Sequence, residues 1–289
     1  MAPTETSLYD QYHNKIMLSA LPGVTIMIIV DTVGIFANAF LILVTIKSKS
    51  LRETTNFLIC FSSFSDIVHL SGHFYFAYAL YTGKTFDDLI DCLHAMTVPL
   101  AGMQFGIVLI FLTAVDRLIC ILWPYYHKQL NKFMYCTLLL GLCFAYYAFF
   151  IRLAYINAAI IPETKVICLI VNAMHGEPVF YWSIVSNAGF ATAIIIYAII
   201  GVFIRMKGVW TLCSWMCGFC AQLIIKVVTL SPEMSFLIPL YAGIGINVSC
   251  SLNLFVLYAF SFDYRKAILS SLKSPASSAT VTVTPKFGS

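Results

Sequence analysis

The chain has 289 residues, 60% of them hydrophobic and only 10% charged, with a formal net charge of +4 and a mean hydropathy of +0.88. Soluble domains carry about 25% charged and about 45–50% apolar residues, so this composition excludes a water-soluble domain and leaves no length for a second folded unit. The small positive excess is explained by loops at a membrane surface and calls for no nucleic-acid partner.

Residues 1–20 are polar and lack the compact apolar run and cleavage site of a removable signal; they are expected to form an outer tail. Apolar stretches of about 20 residues, enough to cross ~30 Å of hydrocarbon, then recur seven times within 21–260. They are Leu21–Ile46, Asn56–Tyr81, Met96–Leu122 (Pro99 near its start), Phe133–Tyr155, Val179–Met206, Trp210–Leu230 and Phe236–Phe260. Beyond them, "FDYRKAI" suits a short amphipathic helix at 261–269 on the inner surface. The tail 270–289 is Ser/Thr-rich and too poor in large apolar groups to fold. The fold class is an all-α membrane protein, a bundle of seven transmembrane helices.

Lys and Arg in the loops set the orientation. Twelve of the 17 follow spans 1, 3, 5 and 7: Lys47, Lys49, Arg52, Arg117, Lys128, Lys132, Arg205, Lys207, Arg265, Lys266, Lys273 and Lys286. The opposite side is poorer in them and carries Asp87, Asp88, Asp91, Glu163 and Glu177. The N-terminus is therefore expected outside and the C-terminus inside. Of the ten cysteines, only Cys92 and Cys168 then sit at the oxidising outer surface, where a disulfide would tie the top of span 3 to the second outer loop. The others read as small apolar packers, including the three in "CSWMCGFC", which have no acid or His nearby to complete a metal site.

"IFLTAVDRLICILWPYY" places Asp116 and Arg117 at the inner end of span 3. By itself the pair reads as an interfacial anchor. However, Asp116 lies 24 residues after Cys92 and eight before Pro124. Asn38, Asp66 and Asn253 lie inside spans 1, 2 and 7, and Tyr258 precedes the amphipathic segment.

In this order and at these depths, the residues resemble the rhodopsin-like G-protein-coupled receptors. More narrowly, "LRETTNFLI", "FSDIVHLSGH", "TAVDRLICILWPYYHK", "PEMSFLIPLYAGIGINVSCSLNLFVLY" and "FDYRKA" resemble nematode serpentine chemoreceptors of the Srsx class. The resemblance implies a plasma-membrane receptor that binds an extracellular small molecule or peptide and signals to a heterotrimeric G protein. Arg117 would hold helix 6 inward at rest with Asp116 as its partner, and Tyr125 would present an aromatic knob to the G protein. Asn253 and Tyr258 would belong to the inner switch. Asn38, Asp66, Ser249 and Asn253 would form a mid-membrane network able to hold a sodium ion, although Gly106 stands where sodium-binding relatives often place a hydroxyl. The tail, once phosphorylated, would gain about −1.5 to −2 charge per site and recruit arrestin-like partners.

The sequence also departs from that pattern. Leu118 replaces the usual Tyr, Asn253 is followed by Leu254 rather than Pro, and spans 5 and 6 lack their usual prolines. Pro99 stands where amine receptors carry an acid, which argues against an aminergic ligand, and span 7 has no Lys for a retinal Schiff base. Outer-half candidates for the pocket are Tyr75, Met103, Gln104, Asn187, Gln222, Lys226 and Tyr241, although ordinary packing would explain each. His69 and His73 share a helix face in a weak metal-ligand pattern for which packing is the better reading. Asp31 is a buried acid without an assigned role. The competing class is a seven-helix transporter or channel, which would need several ionisable groups along a path and often internal repeats; mid-span acids here are limited to Asp31 and Asp66. No catalytic dyad, metal cluster or cofactor motif suggests an enzyme. Finally, Lys207-Gly208-Val209 is nearly the entire connection between spans 5 and 6, too short a tether for a large outward swing of helix 6, and coupling is expected to be weak.

Overall fold

The structure is a computed structural model and describes residues 8–51, 53–199, 216, 220 and 230–273. The expected sixth span and the connection at 207–209, with Gln222 and Lys226, lie outside the described residues apart from Met216, Cys220 and Leu230. The helices are α1 (Leu8–Tyr12), α2 (Leu21–Lys47), α3 (Thr54–Tyr81), α4 (Leu89–Leu122), α5 (Pro124–Gln129), α6 (Lys132–Ile160), α7 (Glu177–Ile199), α8 (Pro232–Ser251), α9 (Asn253–Phe260) and α10 (Phe262–Lys273). Two short strands, β1 (Phe86–Asp88) and β2 (Lys165–Ile167), pair antiparallel with Asp87 opposite Val166.

Among the described residues, α2, α4, α6, α7 and α8 are long and apolar enough to cross a membrane. At 28 residues, α3 is long enough as well, but its composition is more polar because Ser63, Ser65, Asp66, His69 and His73 are all buried. It packs between α2 and α4, so these groups face protein rather than lipid, where polar residues are tolerated. Outward-facing Ile29, Phe36 and Leu43 of α2 and Phe133, Leu138, Phe144 and Phe149 of α6 are exposed. In water such apolar faces would be a liability; against acyl chains they are the expected surface.

The main core gathers around α4. Leu93, Met96, Leu100, Met103 and Ile107 pack against Phe150 and Ala154 of α6 and Trp182, Phe190 and Ala193 of α7. At one end of the bundle, Met17 and Ala20 pack on Val24, Met27, Phe76 and Leu80. The segment expected to be an outer tail therefore caps the bundle from residue 8 onward. At the opposite end Tyr264, Ala267 and Ile268 of α10 dock on Leu41 and Val44 of α2. This helix continues to Lys273, beyond the expected stop at 269, and residues 274–289 lie outside the described residues.

Local chemistry explains the boundaries. Asn131 Oδ1 accepts from Phe133 N–H and Met134 N–H at the start of α6, and Ser231 Oγ accepts from Met234 N–H at the start of α8, ahead of Pro232; both are side-chain caps for otherwise orphaned amides. At the N-terminal end of α4 the helix begins seven residues before the expected Met96, since hydropathy cannot register the part that rises above the hydrocarbon. Pro99 stays inside it. The expected seventh span is divided at Leu252, where ψ is 0°, between α8 and α9.

Small residues let α3 and α4 approach closely, as in membrane helix pairs generally. A Cβ on Gly102 would come within 2.6 Å of His69 N and 2.7 Å of Ser65 O, both backbone atoms that cannot rotate away. Gly102→Ala should therefore lower stability by about 1–3 kcal/mol, read as a reduced melting temperature of detergent-purified protein. Gly141→Ala, with open space around it, should leave the melting temperature unchanged.

Candidate functional site

The end of the bundle capped by the N-terminal segment is organised by Cys92 and Cys168, which form the expected disulfide with Cα atoms 5.4 Å apart. It lies beside the β1–β2 pair, whose end is held by Lys165 Nζ donating to Asp88 Oδ1 at 2.7 Å. That hydrogen bond holds the Lys165 ammonium above its ordinary pKa; on so exposed a pair it adds little stability. The disulfide sets the position of the next residues, Leu169, Ile170 and Val171, which roof a cavity of about 60 Å³ between α2, α3, α4, α7 and α8. Of the remaining cysteines, Cys136, Cys143 and Cys250 are buried as expected, Cys60 and Cys120 are half-buried and Cys220 is exposed; Cys213 and Cys217 lie outside the described residues.

The cavity takes in one of the residues expected to line a ligand pocket. Met103 lines it, together with His69, His73, Trp182, Leu240 and Asn247. Gln104 does not: it is fully buried, with Nε2 donating to Met174 Sδ at 3.6 Å. Asn187 donates to Ser183 O on its own helix. Tyr241 points outward and donates to Ser19 O, and Tyr75 donates to Asp87 Oδ2 at 3.0 Å. Hydropathy carries no information on which face of a helix a residue occupies.

The structure also supplies a partner for Asp31 and a role for His73 beyond packing. Asp31 is fully buried and its Oδ2 lies 3.0 Å from His73 Nδ1, while Asn247 Nδ2 approaches the same nitrogen at 3.3 Å. The His69 ring meets the His73 ring edge-on at 5.2 Å. No group of three or more metal-binding side chains occurs among the described residues.

Deeper in the bundle, Asn253 Nδ2 donates to Asn38 Oδ1 and to Asp66 Oδ2, and Asn38 Nδ2 donates to Cys250 O at 2.9 Å. Three of the four expected network residues thus meet. Ser249 is buried nearby, but its hydroxyl donates to Gly245 O on its own helix. A Cβ on Gly106 would lie 3.7 Å from Asp66 Oδ1, so that position faces the carboxylate and supplies no oxygen to it. The donor set would suit a monovalent cation, with Asp66 as its charge.

Near the end of α4 away from the disulfide, Asp116 is completely buried and Arg117 is 39% exposed. Their link is loose: Arg117 Nε stands 3.9 Å from Asp116 Oδ2. Two groups that sequence reasoning missed hold the carboxylate more closely. His127 Nε2 donates to Oδ1 at 2.9 Å and Thr55 Oγ1 donates to Oδ2 at 3.0 Å. The chain turns at Trp123, where φ is −133° and ψ is 64°, and Pro124 opens α5, which carries His127 back under the end of α4. Tyr197 of α7 lies within electrostatic reach of Arg117. Tyr125 is 71% exposed, as a surface knob requires. Tyr258 stands apart from the pair, with Arg265 6.0 Å over its ring. A separate groove of about 860 Å³ between α2, α3 and α6 is lined mostly by apolar side chains such as Phe57, Phe61 and Phe133 and touches neither site.

A comparison with curated proteins finds no match. The family model for the serpentine-type 7TM GPCR chemoreceptor Srsx matches residues 31–211 and 209–272. The two matched pieces meet in the connection between the expected fifth and sixth spans. With the match extending over most of the chain, the protein belongs to the Srsx family of seven-transmembrane GPCR-type chemoreceptors and is a multi-pass membrane protein.

Proposed function

We propose that the protein is a plasma-membrane chemoreceptor with seven spans, its N-terminus outside and its C-terminus inside, which binds an extracellular small molecule or peptide and acts through a heterotrimeric G protein. The observation that carries this reading is the asymmetry of the inner pair. A carboxylate buried at a helix end needs several hydrogen bonds, and Asp116 has them from His127 and Thr55, which leaves the Arg117 guanidinium half-exposed at the cytosolic face. Such an arginine is available to a helix that closes over it at rest or to a partner peptide that replaces that helix. Tyr125 on α5 adds an exposed aromatic anchor beside it. The Asn38–Asp66–Asn253 network links α2, α3 and α9 and is where a bound cation would bias the two states. Phosphorylated tail residues would be the arrestin contact.

Coupling is limited by the connection at 207–209. Lys207-Gly208-Val209 is nearly the whole link between the expected fifth and sixth spans, too short a tether for a large outward swing of helix 6. The test is guanine-nucleotide exchange on G proteins reconstituted with the receptor in nanodiscs. Asp116→Asn should raise basal exchange several-fold, because an amide satisfies Thr55 but holds His127 and Arg117 less tightly. Unchanged or lower exchange, with folding intact, would remove Asp116 from the resting lock.

A further inference from the structure

We infer that the cavity under the outer loop is a subsite for a small neutral molecule bearing one hydrogen-bond acceptor, such as a short ketone or aldehyde, and that the Nε2–H of His73, set by Asp31, is the donor that reads it. This deepens the chemoreceptor reading and rests on it.

The argument begins with proton balance. Asp31 and His73 lie at membrane depth, with Asp31 fully buried and His73 95% buried. A net charge there is costly unless paired, so the two share one proton and the pair is neutral overall. That proton sits either on Asp31 Oδ2 or on His73 Nδ1, which are 3.0 Å apart. In the first case the neutral imidazole accepts at Nδ1 and carries its hydrogen on Nε2; in the second the imidazolium carries hydrogens on both nitrogens. Asn247 Nδ2, 3.3 Å from Nδ1, favours an imidazole that accepts at Nδ1, and such a ring carries its hydrogen on Nε2.

His73 lines the cavity, and the ion pair and hydrogen bond it makes among the described residues are both at Nδ1. That leaves Nε2 to the cavity, where a ligand acceptor would give it a partner. The other walls are Met27, Met103, Trp182, Pro239 and Ile246, which suit an apolar body. The size is restrictive: a volume of about 60 Å³ holds about four waters at roughly 10–15 Å³ each, so it admits a ligand of about four to six heavy atoms. A steroid would not fit.

The test uses full-length receptor in nanodiscs and direct binding, so it is independent of any G protein. The probes are 2-butanone and its isostere 2-methyl-1-butene, which has the same shape without the acceptor oxygen. The ketone should bind about tenfold more tightly, and the Asp31→Asn/His73→Phe double variant, neutral and similar in volume, should lose that preference. Equal binding of ketone and alkene by the native chain, a ketone preference that survives in the double variant, or binding of neither would overturn the proposal. Should the double variant fail to fold, imidazole ¹⁵N chemical shifts of the native, ligand-free protein decide: a protonated Nε2 on His73 supports the assignment and an unprotonated one overturns it. Loss of G-protein exchange with ketone binding intact would instead count against the receptor reading alone.

Discussion

Replacing Cys92 or Cys168 with serine should abolish surface expression to the same extent, and the double variant should be no worse than either single one. The disulfide closes a loop of 76 residues, and chain-entropy reasoning for such a loop gives about 4 kcal/mol of stabilisation. That is a large share of the ~5–15 kcal/mol by which folded proteins typically exceed their unfolded states. The loss would also be local. Leu169, Ile170 and Val171 follow Cys168 directly and roof the cavity, so a protein rescued to the surface at low temperature should still bind its ligand poorly. The measurement is flow cytometry of an N-terminal epitope on unpermeabilised cells, and unequal loss in the two single variants would contradict a shared bond.

The second large effect concerns Asp31. His73→Leu leaves a fully buried carboxyl without its closest partner, and leaving a buried polar group unsatisfied costs about 1–3 kcal/mol. Asp31→Asn should be milder because the amide needs no counter-charge. The double variant Asp31→Asn/His73→Leu should recover much of the stability lost in His73→Leu. Thermal unfolding of the three purified variants completes the cycle. If the double variant is as unstable as the sum of the singles, the two residues are not coupled.

How much of this was legible in the sequence depended on whether a feature is a matter of depth or of rotation. Depth is written in hydropathy and loop charge, which is why Cys92 and Cys168 could be separated from the other cysteines before any fold was known, and why Asp116 fell at the inner end of a helix. Rotation is not written there. Asp31 and His73 sit on different helices, and only the register between α2 and α3 reveals that they touch, so one looked unexplained and the other looked like packing. For the same reason Gln104 and Tyr241 had a plausible depth and the wrong face. His127 was hidden by a third cause, a turn: the reversal at Trp123-Pro124 brings a loop residue back under the helix that precedes it. The polar character of α3 could be recognised in its Ser, Asp and His content, but that content only makes sense once α3 is seen enclosed between α2 and α4.

The central claim, that Arg117 at the inner face transmits the state of the bundle to a G protein through a connection that limits it, is tested most directly by one comparison. Nucleotide exchange is measured for the native chain, for a chain with about fifteen polar and basic residues inserted at Gly208, and for the inserted chain carrying Arg117→Ala. The account predicts weak exchange by the native chain, a clear gain on insertion, and loss of that gain with Arg117→Ala while ligand binding persists. Robust exchange by the native chain, or a gain on insertion that survives Arg117→Ala, would contradict it.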